Sequence, residues 1–299
     1  MKKTNGESER VRLTVNKAYK MYVGGAFVRS ESGRYFQVKG NSLGNADPHT
    51  VNVPLGSRKD VRDAVKAARD AWEGWAKRTA FNRGQILYRL AEMMESRRDE
   101  LVTTVRRGGV KSADAEREVD IAIDRAVFYS GFADKFHSLV ASSNPVAGPH
   151  FGFSVPEPMG VIAVICPPRP SLVGIVSTVL PVITAGNTAV AVASDADPRT
   201  ALVWAECVAT SDMPGGVINV LTGKPKEMAP HLAKHREVTG IDAWMTDEKL
   251  RTELENLGAD NVKRTKTHAV ADVDWASAQG LGMIERFLET KTVWHPVGV

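Results

Sequence analysis

Two hydrophobic rhythms divide this chain. Up to about residue 140, apolar positions return at helical spacing; beyond about residue 160 they gather into short continuous runs. In the first part Val61, Val65, Ala68, Trp72 and Trp75 predict one face of a helix that starts at Ser57, with Asp60 placed for a capping box. A second helix is predicted over 82–107, closed by Gly108 and Gly109. A third, over 112–136, carries Val119, Ile123, Val127 and Phe128 on one side. Ahead of them, Tyr22 to Val28 alternates around a Gly-Gly pair and predicts a hairpin.

In the second part, strands predicted at 161–166, 188–193, 218–221, 241–245 and 262–268 alternate with helices at 171–185, 198–210, 226–235 and 247–257. Short apolar strands separated by helices require a parallel sheet covered on both faces. Right-handed crossovers then give a Rossmann-like, doubly wound α/β fold of about five parallel strands, preceded by a helical segment. Residues 141–158 are rich in Pro, Gly and Ser and predict an extended hairpin. Thr290 to His295 alternates and is β-rich, so it predicts a further strand in a C-terminal arm. Residues 1–18 are polar and are expected to form a flexible tail.

Composition narrows the function classes. With 299 residues, 43% hydrophobic and 25% charged, the chain has an ordinary globular composition and can bury a core without staples. Its 39 Lys and Arg against 35 Asp and Glu give a net charge of +4. These charges alternate in sign along the predicted helices, which argues against a nucleic-acid partner. Cys166 and Cys207 cannot make a disulfide framework and fit a reducing cytosol. The apolar stretch 172–193 is punctuated by Pro181 and Gly186-Asn187, so it predicts helix, turn and strand rather than a membrane span. The expected location is cytoplasmic, with no membrane partner. No metal-ligand spacing, Walker loop or serine-nucleophile elbow occurs, and Thr222-Gly223-Lys224 is a strand-to-helix turn.

Several stretches, in order, resemble the aldehyde dehydrogenase superfamily. They are Tyr22-Val-Gly-Gly-Ala-Phe-Val28, Ala67-Ala-Arg-Asp-Ala-Trp-Glu-Gly-Trp-Ala76, Tyr129-Ser-Gly-Phe-Ala-Asp-Lys135 and Glu157-Pro-Met-Gly-Val-Ile-Ala-Val-Ile165. Pro181-Val-Ile-Thr-Ala-Gly-Asn-Thr-Ala-Val190 and Pro214-Gly-Gly-Val-Ile-Asn-Val-Leu-Thr-Gly223 continue the likeness. It implies a cofactor-binding domain over 19–264, interrupted by the hairpin at about 139–158, and an oligomerisation arm over 265–299. In the family a catalytic domain lies between the two. Here Asn261 and Trp275 are separated by only a few residues, so that domain is expected to be absent.

The resemblance also says where chemistry should be. The family reaction needs a thiolate, an oxyanion donor, a carboxylate base and a nicotinamide cofactor. Pro167-Pro168-Arg169-Pro170-Ser171 puts Arg169 at the place of the oxyanion Asn. Arg264-Thr-Lys-Thr-His-Ala-Val270 stands at the level of the base, without Glu or a glycine pair; His268 is a conceivable substitute. The thiolate of the missing domain has no counterpart, which leaves Cys166, at the edge of the Pro-rich turn, as a secondary candidate. Val192 and Ala193 replace the ribose-binding Lys-Pro, and Asp195 keeps an acid nearby. Asp195, Pro167 and Gly223 are therefore the vestigial cofactor positions. Asp247 and Glu248 occupy the turn that should receive pyrophosphate, and would repel it. The expectation is a non-catalytic subunit that binds no cofactor. It would assemble with a full-length aldehyde dehydrogenase through the hairpin 141–158 and the arm 283–299. The alternatives are an NAD- or NADP-dependent aldehyde oxidoreductase with a non-standard site, and a nucleotide sensor without chemistry.

Overall fold

A computed structural model describes residues 15–43, 50–271 and 273–298; most of the predicted N-terminal tail lies outside the described residues. The chain opens with β1 (Met21–Val23), β2 (Ala26–Val28), β3 (Tyr35–Val38) and β4 (Val51–Pro54). The helices α1 (Arg58–Ala76), α2 (Ala80–Ser96), α3 (Arg98–Arg107), α4 (Ser112–Phe132) and α5 (Phe136–Val140) follow. After β5 (Ser142–Asn144) and β6 (His150–Pro158) come β7 (Val161–Ile165), α6 (Ser171–Thr184), β8 (Thr188–Val192), α7 (Pro198–Ala209) and β9 (Ile218–Leu221). The rest is α8 (Pro225–Lys234), β10 (Val238–Trp244), α9 (Glu248–Ala259), β11 (Arg264–His268), α10 (Leu281–Glu285) and β12 (Leu288–Pro296).

The main sheet has seven strands in the order β11-β10-β7-β8-β9-β1-β2. Five are parallel, as predicted; the hairpin β1–β2 adds two antiparallel strands at the β9 edge. Asn219 on β9 makes the join, accepting from the Gly24 amide (2.9 Å) and donating to the Ala189 and Gly216 carbonyls. Alternation along each strand divides the core into two layers. Ile162 and Val164 face α2, α4, α6 and α7, whereas Val161, Ala163 and Ile165 face α1, α8 and α9. Helix α6 is buried along its whole length, which its apolar circumference requires.

The helical segment differs from expectation in detail. The predicted helix 82–107 breaks at Arg97, and the predicted 112–136 helix stops at Phe132. Val127 is exposed rather than packed, and Trp72 is half-buried beneath the Arg69 guanidinium, 5.3 Å from its ring. The small β3–β4 sheet has no counterpart in the hydrophobic pattern. The capping box forms as expected: Ser57 accepts from the Asp60 amide while Asp60 accepts from the Ser57 amide at 2.8 Å.

An antiparallel sheet in the order β12-β6-β5 forms the arm. β12 pairs with β6 from Leu288 opposite Pro158 to Pro296 opposite His150. Its other edge is unpaired among the described residues. Trp294 lies opposite Gly152 and Phe151 opposite His295, so the two faces each carry an exposed aromatic ring. Asn187 fastens the base of the arm: its Oδ1 accepts from the Gly160 amide and its Nδ2 donates to the Phe287 carbonyl.

Candidate functional site

In an open α/β sheet the ligand crevice lies outside the carboxyl ends of the strands, where the strand order reverses. Here that point is between β7 and β10, flanked by the first turns of α6 and α9. Both helix starts would ordinarily offer free amides to an anion. Neither does. Glu118 of α4 reaches the α6 start, and its Oε1 accepts from the Leu172 amide (2.7 Å) and, at longer range, from Val173 (3.4 Å). Burial pushes the Glu118 carboxyl above its ordinary pKa, against the pull of those two amides. At α9 the Asp247 side chain accepts from the Leu250 amide (3.1 Å) and pairs with Lys226 of α8 at 2.7 Å. The Lys226 ammonium and the helix amide hold Asp247 below the usual carboxylate range. The ion pair spans the gap between α8 and α9.

The positions proposed for cofactor contact serve the fold. Val192 is fully buried under the sheet. Pro167 is buried against the first turn of α6, where a Cβ on Gly174 would come within 2.5 Å of the proline ring. Gly223 has φ +151, and a Cβ there would press on Met228 Sδ at 2.8 Å and on the Gly56 amide, so it admits the chain entering α1. Asp195 is exposed, and its neighbour Asp197 is the organised acid. Fully buried, Asp197 pairs with Arg199 Nε at 2.9 Å and accepts from Thr200 Oγ1 at 2.7 Å. Arg199 in turn donates to the Arg107 carbonyl, and Arg169 donates to the Gly108 carbonyl at 2.7 Å. Two arginines thus satisfy the last carbonyls of α3, and Arg169 is committed to that end.

Neither cysteine is placed as a nucleophile. Cys166 is buried and its thiol is pushed up to about 12; Cys207, buried in α7, is pushed up to about 11 by the same desolvation. His268 does have partners. Its Nε2 lies 3.0 Å from Asp242 Oδ1, while Asp242 Oδ2 accepts from Trp244 Nε1 at 2.8 Å. The His268 ring stacks on Trp244 at 3.9 Å, Arg286 lies over the other ring system at 5.3 Å, and Trp275 tilts against Trp244 at 5.1 Å. Asp242 was the missed signal: a carboxylate inside an apolar strand must find partners. Glu118 gave a similar one, sitting between Ala115 and Ala122 on a buried helix face.

The same cluster fixes the connection from sheet to arm, residues 269–280. Arg125 of α4, almost fully buried, donates to the carbonyls of Trp275 (3.0 Å), Ala276 (3.1 Å) and Ala278.

Comparison with known proteins identifies the frame around this crevice. The profile of the aldehyde dehydrogenase family matches residues 28–248. The chain belongs to the aldehyde dehydrogenase family. Hydroxyisobutyraldehyde dehydrogenase of Mycolicibacterium austroafricanum is 33% identical over 81% of this chain and 47% of its own length. Cytosolic 10-formyltetrahydrofolate dehydrogenase of Mus musculus is 28% identical over 95% of this chain but 34% of its own length. Among solved structures, PnpE in complex with nicotinamide adenine dinucleotide superposes with a TM-score of 0.78 at 26% identity, covering 85% of this chain and 51% of that one. This aldehyde dehydrogenase-family chain therefore spans about a third to about half the length of these relatives. Its Rossmann-like domain is of the kind that holds NAD or NADP elsewhere in the family. In this member the carboxylates of Glu118 and Asp247 already take backbone amides at the starts of α6 and α9, and an acid at a helix start does not fit a phosphate.

Proposed function

We propose that this chain is a non-catalytic aldehyde dehydrogenase-like subunit that assembles with a full-length aldehyde dehydrogenase and stabilises or regulates it. One observation carries the reading: between the sheet and the arm, Trp275, Ala276 and Ala278 are held by the buried Arg125 and by Trp244 against Trp275. A short connection anchored at Trp275, Ala276 and Ala278 supports the reading that no catalytic domain is inserted there, and it leads into an arm with an open edge among the described residues. The closed helix ends agree with this, since a subunit that performs no hydride transfer gains from satisfying those amides internally. In this reading the cofactor-binding region is 19–264, the arm is 265–299 and no dinucleotide is bound. Co-expression with full-length aldehyde dehydrogenases from the same genome, followed by native mass measurement, should give a mixed complex. Recovery of each subunit apart in every pairing would sink the proposal.

A second reading, aldehyde oxidation at a relocated site, draws on the Asp242–His268 pair at the strand ends, where a carboxylate-oriented imidazole has the form of a general base. It requires aldehyde-dependent reduction of NAD or NADP by the pure chain, lost in His268→Ala. Absence of any turnover removes it.

A further inference from the structure

Away from the crevice, the outer surface between α1 and the end of α8 forms a depression of about 1000 Å³. That is at the upper end of the range for small-molecule sites. Its walls are cationic. Arg58 and Arg62 line it from α1, and His231, Lys234, His235 and Arg236 line it from α8 and the turn into β10. A second depression continues it along α1 past Lys66 and Arg69, sharing Arg62 and His235. Residues 58, 62, 66 and 69 lie on one face of α1, where Lys66 is paired with Asp70 and the second depression is also lined by Asp70, Glu73 and Glu237, so the excess of positive charge lies in the first depression.

Two carboxylates at the rim offset part of this charge, each paired with one cation. Glu31 pairs with Lys59 at 2.7 Å and Glu237 with Arg69 at 3.1 Å. Arg62 is likewise paired, with Asp63. Arg58, Lys234 and Arg236 make no ion pair among the described residues, and all three are exposed toward the depression.

Stability does not explain the arrangement. Arg58 occupies the first turn of α1, where the helix dipole disfavours a cation. Lys234 suits the end of α8, but Arg236 lies beyond it and adds only like-charge repulsion. The half-buried Lys263 ammonium donates to the carbonyls of His235 (2.7 Å) and Val238 (2.5 Å), fixing the turn that presents His235 and Arg236. His235 Nδ1 accepts from the Glu237 amide at 3.3 Å, which leaves its Nε2–H as a free donor. Fixed donors, convergent unpaired cations and an open volume are the features of an oxyanion site.

We propose that this groove binds a multiply charged phosphate compound, with Arg58, Lys234 and Arg236 as the charge-bearing contacts and His231 and His235 as further hydrogen-bonding side chains. The alternating charge elsewhere on the surface favours a compact polyphosphate over a nucleic acid, whose backbone would need a longer track.

Calorimetric titration of the full chain with inorganic tripolyphosphate at low salt should show one site. Arg58→Gln and Arg236→Gln should each weaken it at least about fivefold, as expected for loss of a charge-assisted contact. The remote arm variant Lys291→Gln should leave it unchanged. Melting adds a readout that misfolding cannot imitate: without ligand Arg236→Gln should melt at or above the parent temperature, and with tripolyphosphate below it. Parallel titrations with ATP and a single-stranded oligonucleotide distinguish sources; ATP binding through the same residues extends the proposal to nucleotides. No heat at millimolar tripolyphosphate, equal weakening by Lys291→Gln, or tighter binding of the oligonucleotide would each overturn it.

Discussion

The crevice at the strand ends and the arm sheet treat their polar groups in opposite ways. At the crevice, amides that the fold leaves open are closed from within, by Glu118 on α6 and by Asp247 with Lys226 on α9. In the arm, β12 keeps an unpaired edge nine residues long, and Trp294 is 63% exposed. An open edge beside exposed aromatic rings is a liability in a free chain unless something covers it. The contrast is between polar groups satisfied inside the chain and a strand edge left for something else to cover. The two regions rest on separate sheets, joined where β6 runs into β7, by Asn187 at the base of the arm and by the connection that Arg125 anchors.

The comparison can be broken or sharpened by substitution. The largest effect is expected at the anchor. Arg125→Leu removes one guanidinium and leaves three carbonyls without their donor, which should cost about 3 kcal/mol or more in urea denaturation. Protease cleavage should then appear within 269–280. Unchanged stability together with an uncut connection would show that the arm does not depend on the anchor.

Next comes the internal cap. Glu118→Ala should cost about 1–2 kcal/mol through two uncapped amides, whereas Glu118→Gln keeps an acceptor and should cost less at neutral pH. The sign with pH is distinctive. Because the folded-state pKa of Glu118 is raised, its contribution is full below the ordinary carboxylate pKa and falls as pH rises through the folded value. The advantage of the parent over Glu118→Gln should therefore shrink between pH 4 and pH 8, both rough bounds set by that window. A gap that widens with pH would mean that Glu118 is a stabilised anion and that the α6 start still attracts negative charge.

Opening the other helix end is a smaller perturbation. The parent should give no calorimetric signal with NAD, NADP or AMP. Lys226→Ala frees only an exposed ion pair and should barely change the melting temperature. Nucleotide binding by the parent would reverse the reading of the crevice. The smallest stability effect, within about 0.5 kcal/mol, is expected for Trp294→Lys on the exposed arm. The same change should abolish co-purification with a full-length partner, and a complex that survives it would place the interface elsewhere.

The parallel sheet was legible in advance because a buried strand and its covering helices leave separate signatures in one dimension. The runs 161–165, 188–192 and 218–221, the cap at Ser57 and the helix start at Asp247 all formed where the pattern put them. The hairpin β1–β2 was also visible, but its attachment to β9 depends on Asn219, about two hundred residues away. The break at Arg97 was not visible, since apolar spacing continues across it.

For the site, sequence alone raised an expectation of what is missing, from Val192, Arg169 and the short run before Trp275. It also determined that Asp247 would start a helix, because a cap is a contact between near neighbours. Only the tertiary structure decided what replaced the lost functions. That Glu118 closes α6, that Arg125 holds the connection and that Asp242 engages His268 are contacts across 54, 150 and 26 residues. A buried charge announces that it needs a partner, but chain folding alone selects which one.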